Sequence, residues 1–179
     1  MRYQIRKNLW ITLLLPDTRE SPDGEVHCIK VGGFAVGLAA MKILLPEQKK
    51  LIHECLIPIR WGDMDALGHV NNSVYLQYMD VARVDWSTQS GFPISPVGCG
   101  LVVVHVFCNF HRQFEYPGQV RLKMYASDVS RSSFETWTTM EKADQPGQIC
   151  ASGGATLVWV DRQAQKSQPL PDRLRALVS

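Results

Sequence analysis

Between Asn71 and Gly91 the chain carries one long stretch of helical periodicity, and almost everything after it reads as strand. Tyr75, Met79, Ala82 and Trp86 recur at helical spacing, and Tyr78 broadens the stripe. Gln77, Asp80, Ser87 and Thr88 fall on the opposite side. Val74, Val81 and Val84 leave little wholly polar surface, which predicts a helix of about five turns buried over most of its circumference. Asn71, Asn72 and Ser73 are all good N-cap residues, because a short side-chain oxygen can accept from the free N–H groups of the first turn. Gly91 suits the position after the C-cap, and Pro93 prevents continuation.

Alternation of apolar and polar residues places strands around that helix. Leu51–Trp61 puts Cys55, Ile57, Ile59 and Trp61 on one face, and Pro58, which has no N–H to donate, predicts an edge strand. After a Pro- and Gly-rich loop, Phe92–Gly100, four further runs follow. Leu101–His111 places Val102, Val104, Val106, Cys108 and Phe110 on one face. Gln119–Val129 and Ser132–Lys142 alternate in the same way. Ile149–Asp161 is nearly apolar, and Gly153–Gly154 within it predicts a bulge or bend. Turns fall at Tyr116-Pro117-Gly118, Ser130–Arg131 and Gln145-Pro146-Gly147, and Pro171–Val178 reads as a short helix. One strand, one long helix and four hairpin-linked strands make an α+β pattern: an antiparallel sheet wrapped around one central helix.

Residues 1–40 do not resemble the rest. Arg2, Arg6 and Lys7 precede the apolar run Leu9–Leu15, but no small-residue cleavage site follows, so a secretory signal is set aside. Val31–Leu45 is too interrupted to span a bilayer. Met41 opens a more ordinary beginning, and the expectation is an atypical extension over 1–40, disordered or not natively translated, before a domain at 41–179. A net charge of +2 gives no footing for nucleic acid, and five cysteines without a CxxC pair read as free thiols in a reducing cytoplasm.

The segment Ile59–Asn72, reading IRWGDMDALGHVNN, links the first strand to the helix. It sets Asp65 about seven residues ahead of a helix N-terminus, whose exposed N–H groups carry roughly half a positive charge and favour an anion or a developing oxyanion. With YLQYMDVAR after it, and RSSF at Arg131–Phe134, this segment resembles the hotdog-fold acyl-CoA thioesterases of the 4-hydroxybenzoyl-CoA thioesterase branch, over roughly Leu51–Asp161. The resemblance implies a hotdog fold and hydrolysis of an acyl-CoA thioester. It implies Asp65 as nucleophile or general base, and a backbone N–H at or beside Asn72 as the group that polarises the carbonyl. His69, Asn71 and Tyr75 are substrate-binding candidates, and Arg131, Ser132 and Ser133 are the candidates for the phosphates of coenzyme A. Coenzyme A is part of the substrate, so neither a cofactor nor a metal is expected. Family members assemble as dimers or tetramers with sites at subunit interfaces, so a homodimer or homotetramer is expected here.

Rival readings weaken on residue identity. A calcium loop starting at Asp63 would need an oxygen side chain at Leu67 and a glutamate at Val74. His105 and His111 are about 20 Å apart on an extended strand, too far to share a metal. No Gly-x-Ser-x-Gly elbow exists. Against the hotdog hydratase pattern, Gly-Asp-x-Asn-Pro followed by an aliphatic residue and His, Asp65 replaces the Asn, Ala66 replaces the Pro and His69 lies one position late, and a carboxylate within the helix (Asp80 or Asp85) would need a Gly-Gly turn that is absent. A hydratase or a non-catalytic acyl-CoA-binding module are the alternatives. Asp63 reads as a turn residue bonding its own backbone, His69 as a residue that orients the turn, and His53 shows no local partner.

Overall fold

The computed structural model describes residues 29–31, 34–36 and 44–179. The chain divides into two compact units, Met1–Met41 and Lys42–Ser179. In the first, β1 (Ile29–Val31) and β2 (Phe34–Val36) pair antiparallel, with Ile29 opposite Val36. The readings made of the basic residues before Leu9, of the Leu9–Leu15 run and of Cys28 lie outside the described residues.

The second unit contains β3 (Lys50–Ile59), α1 (Asn72–Gln89), β4 (Cys99–Phe110), β5 (Gly118–Ser127), β6 (Ser133–Lys142), β7 (Ile149–Asp161), the two-residue β8 (Lys166–Ser167) and α2 (Asp172–Val178). Its antiparallel sheet runs in the order β3-β5-β6-β7-β4, with β8 added to β7. β3 is an edge strand, as Pro58 requires. The sheet wraps α1, and this is the α+β hotdog architecture. Tyr75, Tyr78, Met79, Ala82 and Trp86 of α1 join Val120, Leu122, Met124, Phe134 and Met140 of the sheet in one core. No described helix is long and apolar enough to cross a membrane.

α1 begins and ends where its caps dictate. The Asn71 side chain accepts from the Ser73 N–H at 2.9 Å. At the other end Gly91 has φ of +80°, Phe92 N–H reaches Ser87 O at 2.9 Å and Gly91 N–H reaches Thr88 O at 3.1 Å. This bond pair is a Schellman cap, in which the left-handed glycine turns the chain back over the last carbonyls. Two expectations about the helix need correction. Ser87 is buried, because its hydroxyl turns inward to donate to Phe92 O. Val81 and Val84 are exposed, so the helix is buried on one face of the single chain and not around most of its circumference.

Two corrections concern strands. Gly153–Gly154 makes no bulge: β7 runs in register through both, with Cys108 opposite Gly153 and Phe107 opposite Gly154. What these glycines provide is clearance. A Cβ on Gly153 would stand 2.4 Å from Phe107 O and 2.9 Å from Met79 Cε, where α1 lies against the sheet. A Cβ on Gly154 would stand 2.9 Å from the Phe107 ring on the opposite face and 2.9 Å from Thr136 O. The register shift falls instead between Val103 and His105 of β4. One extra residue there reverses which side chains face inward. Leu101 packs on the core before the shift, and Cys108 packs on it after, with the Phe110 ring edge-on to Tyr75 at 5.1 Å. Val104 is exposed, so the five residues expected on one face of this strand do not share one.

Candidate active site

β3 ends at Ile59, and the chain then makes one 3₁₀ turn, Trp61–Asp63, before a loop delivers it to α1. The loop is held mainly by main-chain bonds. Asp65 N–H donates to His69 O at 2.8 Å, Gly68 N–H to Asp65 O at 3.1 Å, and Asn71 N–H to Asp63 O at 2.9 Å. Val70 N–H donates to Phe114 O at 2.9 Å and ties the loop to the segment after β4. Gly68 has φ of +80°, and a Cβ there would meet nothing within 4 Å. The glycine therefore serves backbone conformation and not close packing. Gly68→Val is expected to cost about 1–2 kcal/mol of stability through left-handed strain alone. A thermal melt and a turnover assay both indistinguishable from wild type would sink this account of the loop.

The two aspartates of the turn are employed differently. Asp63 Oδ2 accepts from Arg60 N–H at 2.8 Å and from the Tyr78 hydroxyl at 2.7 Å, so it fastens the turn to α1. Burial, followed by the Asp63 hydrogen bond, pushes the Tyr78 hydroxyl well above the usual phenol range, and it stays a donor at any ordinary pH. Asp65 is half-buried, and its Oδ1 accepts from Leu67 N–H at 2.8 Å. Its Oδ2 has no hydrogen-bond partner among the described residues. Asp65 opens onto a cavity of about 400 Å³ lined also by Trp61, Gly62, Met64, Gly68 and Tyr116.

At the start of α1, Ser73 N–H is taken by the Asn71 side chain and Val74 N–H by Asn71 O at 2.9 Å. The Asn72 N–H has no acceptor among the described residues. The Asn71 side chain is thus used as a cap. Tyr75 lies in the core, where its hydroxyl oxygen accepts from Phe114 N–H at 3.1 Å. His69 holds the turn by its carbonyl, and its ring makes no hydrogen bond among the described residues. Arg131 and Ser132 lie between β5 and β6 and Ser133 opens β6, all at the opposite end of the sheet. Ile59 pairs with Gly118, the first residue of β5, whereas Ser127 is its last. At about 3.3 Å per residue, some 30 Å of strand separates the Asp65 loop from that turn within one chain.

Several neighbouring groups are accounted for. His53, without a local partner in the sequence, meets Asp85 of α1 at 3.0 Å across the fold. Asp85 also accepts from Gln89, and Asp80 pairs with Arg83 at 3.1 Å, so both helix carboxylates are engaged. Cys55, Cys99, Cys108 and Cys150 are free, and burial pushes the Cys108 thiol up to about 11, leaving it protonated and inert at neutral pH. Trp61 and Tyr116 line the cavity without having been singled out in the sequence as site residues. Alternation assigned Trp61 to a strand face, and Tyr116 stood in a Pro-Gly turn whose position in space is set only by strand pairing.

The model of the thioesterase-like superfamily matches residues 59–178. A Pseudomonas aeruginosa protein provisionally described as a thioesterase is 34% identical, with a TM-score of 0.70, over 73% of this chain and 100% of the other. A Xanthomonas campestris protein provisionally described as an acyl-CoA thioesterase is 27% identical, with a TM-score of 0.59, over 63% of this chain and 95% of the other. An Aquifex aeolicus protein provisionally named an esterase is 25% identical over 79 residues, 42% of this chain. The chain spans 62% of that relative, less than two thirds of its length. Fold and matched span agree, and the chain belongs to the thioesterase-like superfamily of hotdog-fold proteins related to 4-hydroxybenzoyl-CoA thioesterase.

Proposed function

We propose that this protein is an acyl-CoA thioesterase in which Asp65 drives attack on the thioester carbonyl and the Asn72 N–H receives the carbonyl oxygen. The observation that carries this reading is the half-buried Asp65, with one carboxylate oxygen unpartnered among the described residues, on a cavity of about 400 Å³ in the loop leading into α1. Asp65 either adds to the carbonyl carbon, giving a mixed anhydride that water then opens, or takes a proton from a water that adds directly. In both routes the tetrahedral oxyanion collapses and expels the coenzyme A thiolate, which is protonated on release. The oxyanion strengthens its bond to the Asn72 N–H more than the ground-state carbonyl does, and one such donor is worth roughly 3–4 kcal/mol of barrier.

The Arg131–Ser133 turn can meet the Asp65 cavity only from a second copy of the chain, given the length of strand between them. A homo-oligomer fits this and also the exposed Val103, Val104 and Val106 along the β4 edge. Thiol release measured over aromatic, short-chain and long-chain acyl-CoAs tests the function. At least one acyl class is expected to be hydrolysed to free acid and coenzyme A. Binding without thiol release, or water addition to an enoyl-CoA without it, overturns the reading.

A further inference from the structure

A second cavity, of about 460 Å³, opens at the same end of the sheet as the Asp65 loop. Its polar walls are His111, Arg112 and Gln113 after β4, with Lys142, Gln145 and Gln148 around the β6–β7 turn. None of its lining residues is acidic. Neither the Arg112 guanidinium nor the Lys142 ammonium has a hydrogen-bond or ion-pair partner among the described residues. Two other cations of this sheet are engaged: Arg121 meets Glu54 at 2.8 Å and Glu141 at 3.6 Å, and Lys123 meets Glu141 at 3.9 Å. Glu141, the chain neighbour of Lys142, is committed to those pairs and to Gly147 N–H at 2.7 Å. Glu115 and Asp144 are exposed and lie outside the lining.

The backbone around these charges is fixed before any ligand arrives. His111 and Arg112 N–H groups both donate to Cys150 O, at 2.9 and 2.8 Å, and Gln145 N–H donates to Lys142 O at 3.0 Å. The His111 ring is held on the Ser152 hydroxyl at 2.8 Å. Two unpaired cations and three amides around a polar cleft without a counter-charge suit an oxyanion with several acceptor oxygens, and a guanidinium matches phosphate geometry best. The cleft also neighbours the Asp65 cavity. Gln113 lines one and Tyr116 the other, and three residues of chain span at most about 10 Å.

We propose that this cleft binds a phosphate of the substrate's carrier arm, in the same chain that supplies Asp65. The proposal rests on the thioesterase reading for its substrate but not for its geometry, and it adds Arg112 and Lys142 of the same chain to the phosphate contacts that family resemblance gives to Arg131. The test is the Arg112→Gln/Lys142→Gln double variant, assayed on one acyl group carried by coenzyme A, by phosphopantetheine and by pantetheine. The expected result is a KM for the acyl-CoA raised at least ~10-fold, about 1.4 kcal/mol, with kcat held and the phosphate-free acyl-pantetheine unaffected. A full effect on acyl-phosphopantetheine assigns the cleft to the pantetheine phosphate; an effect confined to acyl-CoA assigns it to the nucleotide phosphates. An unchanged KM for acyl-CoA, or an equal loss on acyl-pantetheine, overturns the proposal. If wild-type protein releases no thiol from any of the three, the enzyme reading fails and the cleft is judged by calorimetry with adenosine 3′,5′-bisphosphate. Weakened binding in the double variant then upholds the cleft, and no wild-type binding or equal affinity overturns it.

Discussion

Asp65→Asn is expected to leave the protein folded and to lower turnover at least ~10²-fold, the lower end for loss of a positioned acid–base group. The fold survives because an amide oxygen can still accept from Leu67 N–H, the one hydrogen bond the Asp65 side chain makes among the described residues. Activity falls because an amide is neither a useful base nor a useful nucleophile at neutral pH. Substrate binding is expected to persist, and KM to hold or fall, since the lost interaction belongs to the transition state. Asp63→Ala is the control two residues away. It strips the buried Tyr78 hydroxyl and the Arg60 N–H of their acceptor, a cost of about 1–3 kcal/mol, and activity should follow the folded fraction. Steady-state kinetics beside thermal melts separate the two. Well-folded Asp65→Asn protein with near wild-type turnover would falsify the assignment, and a folded but dead Asp63→Ala would move it to the other carboxylate.

The largest effect on stability is expected at Gly153, where β7 meets α1 and β4. Gly153→Ala adds a single methyl, but that methyl arrives 2.4 Å from a backbone oxygen of β4 as well as against Met79. Met79 is 1% exposed, so its thioether has little room to swing aside. Yielding means moving β4 against β7 or lifting α1 from the sheet. Overpacking of this kind costs up to about 3 kcal/mol, which for a domain of this size lowers Tm by on the order of 10 °C. Calorimetric melts of Gly153→Ala and Gly154→Ala check it, with Gly154 the milder case because its nearest backbone oxygen, Thr136 O, stands at 2.9 Å and not at 2.4 Å. A Gly153→Ala melt within a degree or two of wild type would refute the close approach of helix and sheet.

How much of this was legible in the sequence depends on the range of the interaction. α1 was legible to within a residue or two, because Asn71, Gly91 and Pro93 act on their own neighbours. The edge position of β3 followed from one missing N–H at Pro58. β7 ran over the expected span, yet the purpose of its glycines was hidden, since it depends on Phe107 and Met79 arriving from elsewhere. The β4 face was misread because its extra residue is defined only against β7. The same division holds at the site. The Asp65–Asn72 spacing is local and could be read directly. The His53–Asp85 pair, the Tyr116 wall and the cleft at Arg112 and Lys142 are made by strand pairing, which brings together residues tens of positions apart.

The walls of the Asp65 cavity bear on how readily such a protein can change its diet. Trp61 is 77% exposed and Tyr116 48%, and both stand in turns outside the hydrophobic core. Exchanging side chains at such positions generally moves stability by no more than about 0.5 kcal/mol, whereas the same exchange at Phe134 or Leu122 opens a cavity costing several. Selection can therefore redraw the outline of this cavity while the sheet, α1 and the Asp65 loop stay as they are. Drift at these two positions is nearly free, so closely similar chains with this architecture are expected to differ first in the shape of this cavity.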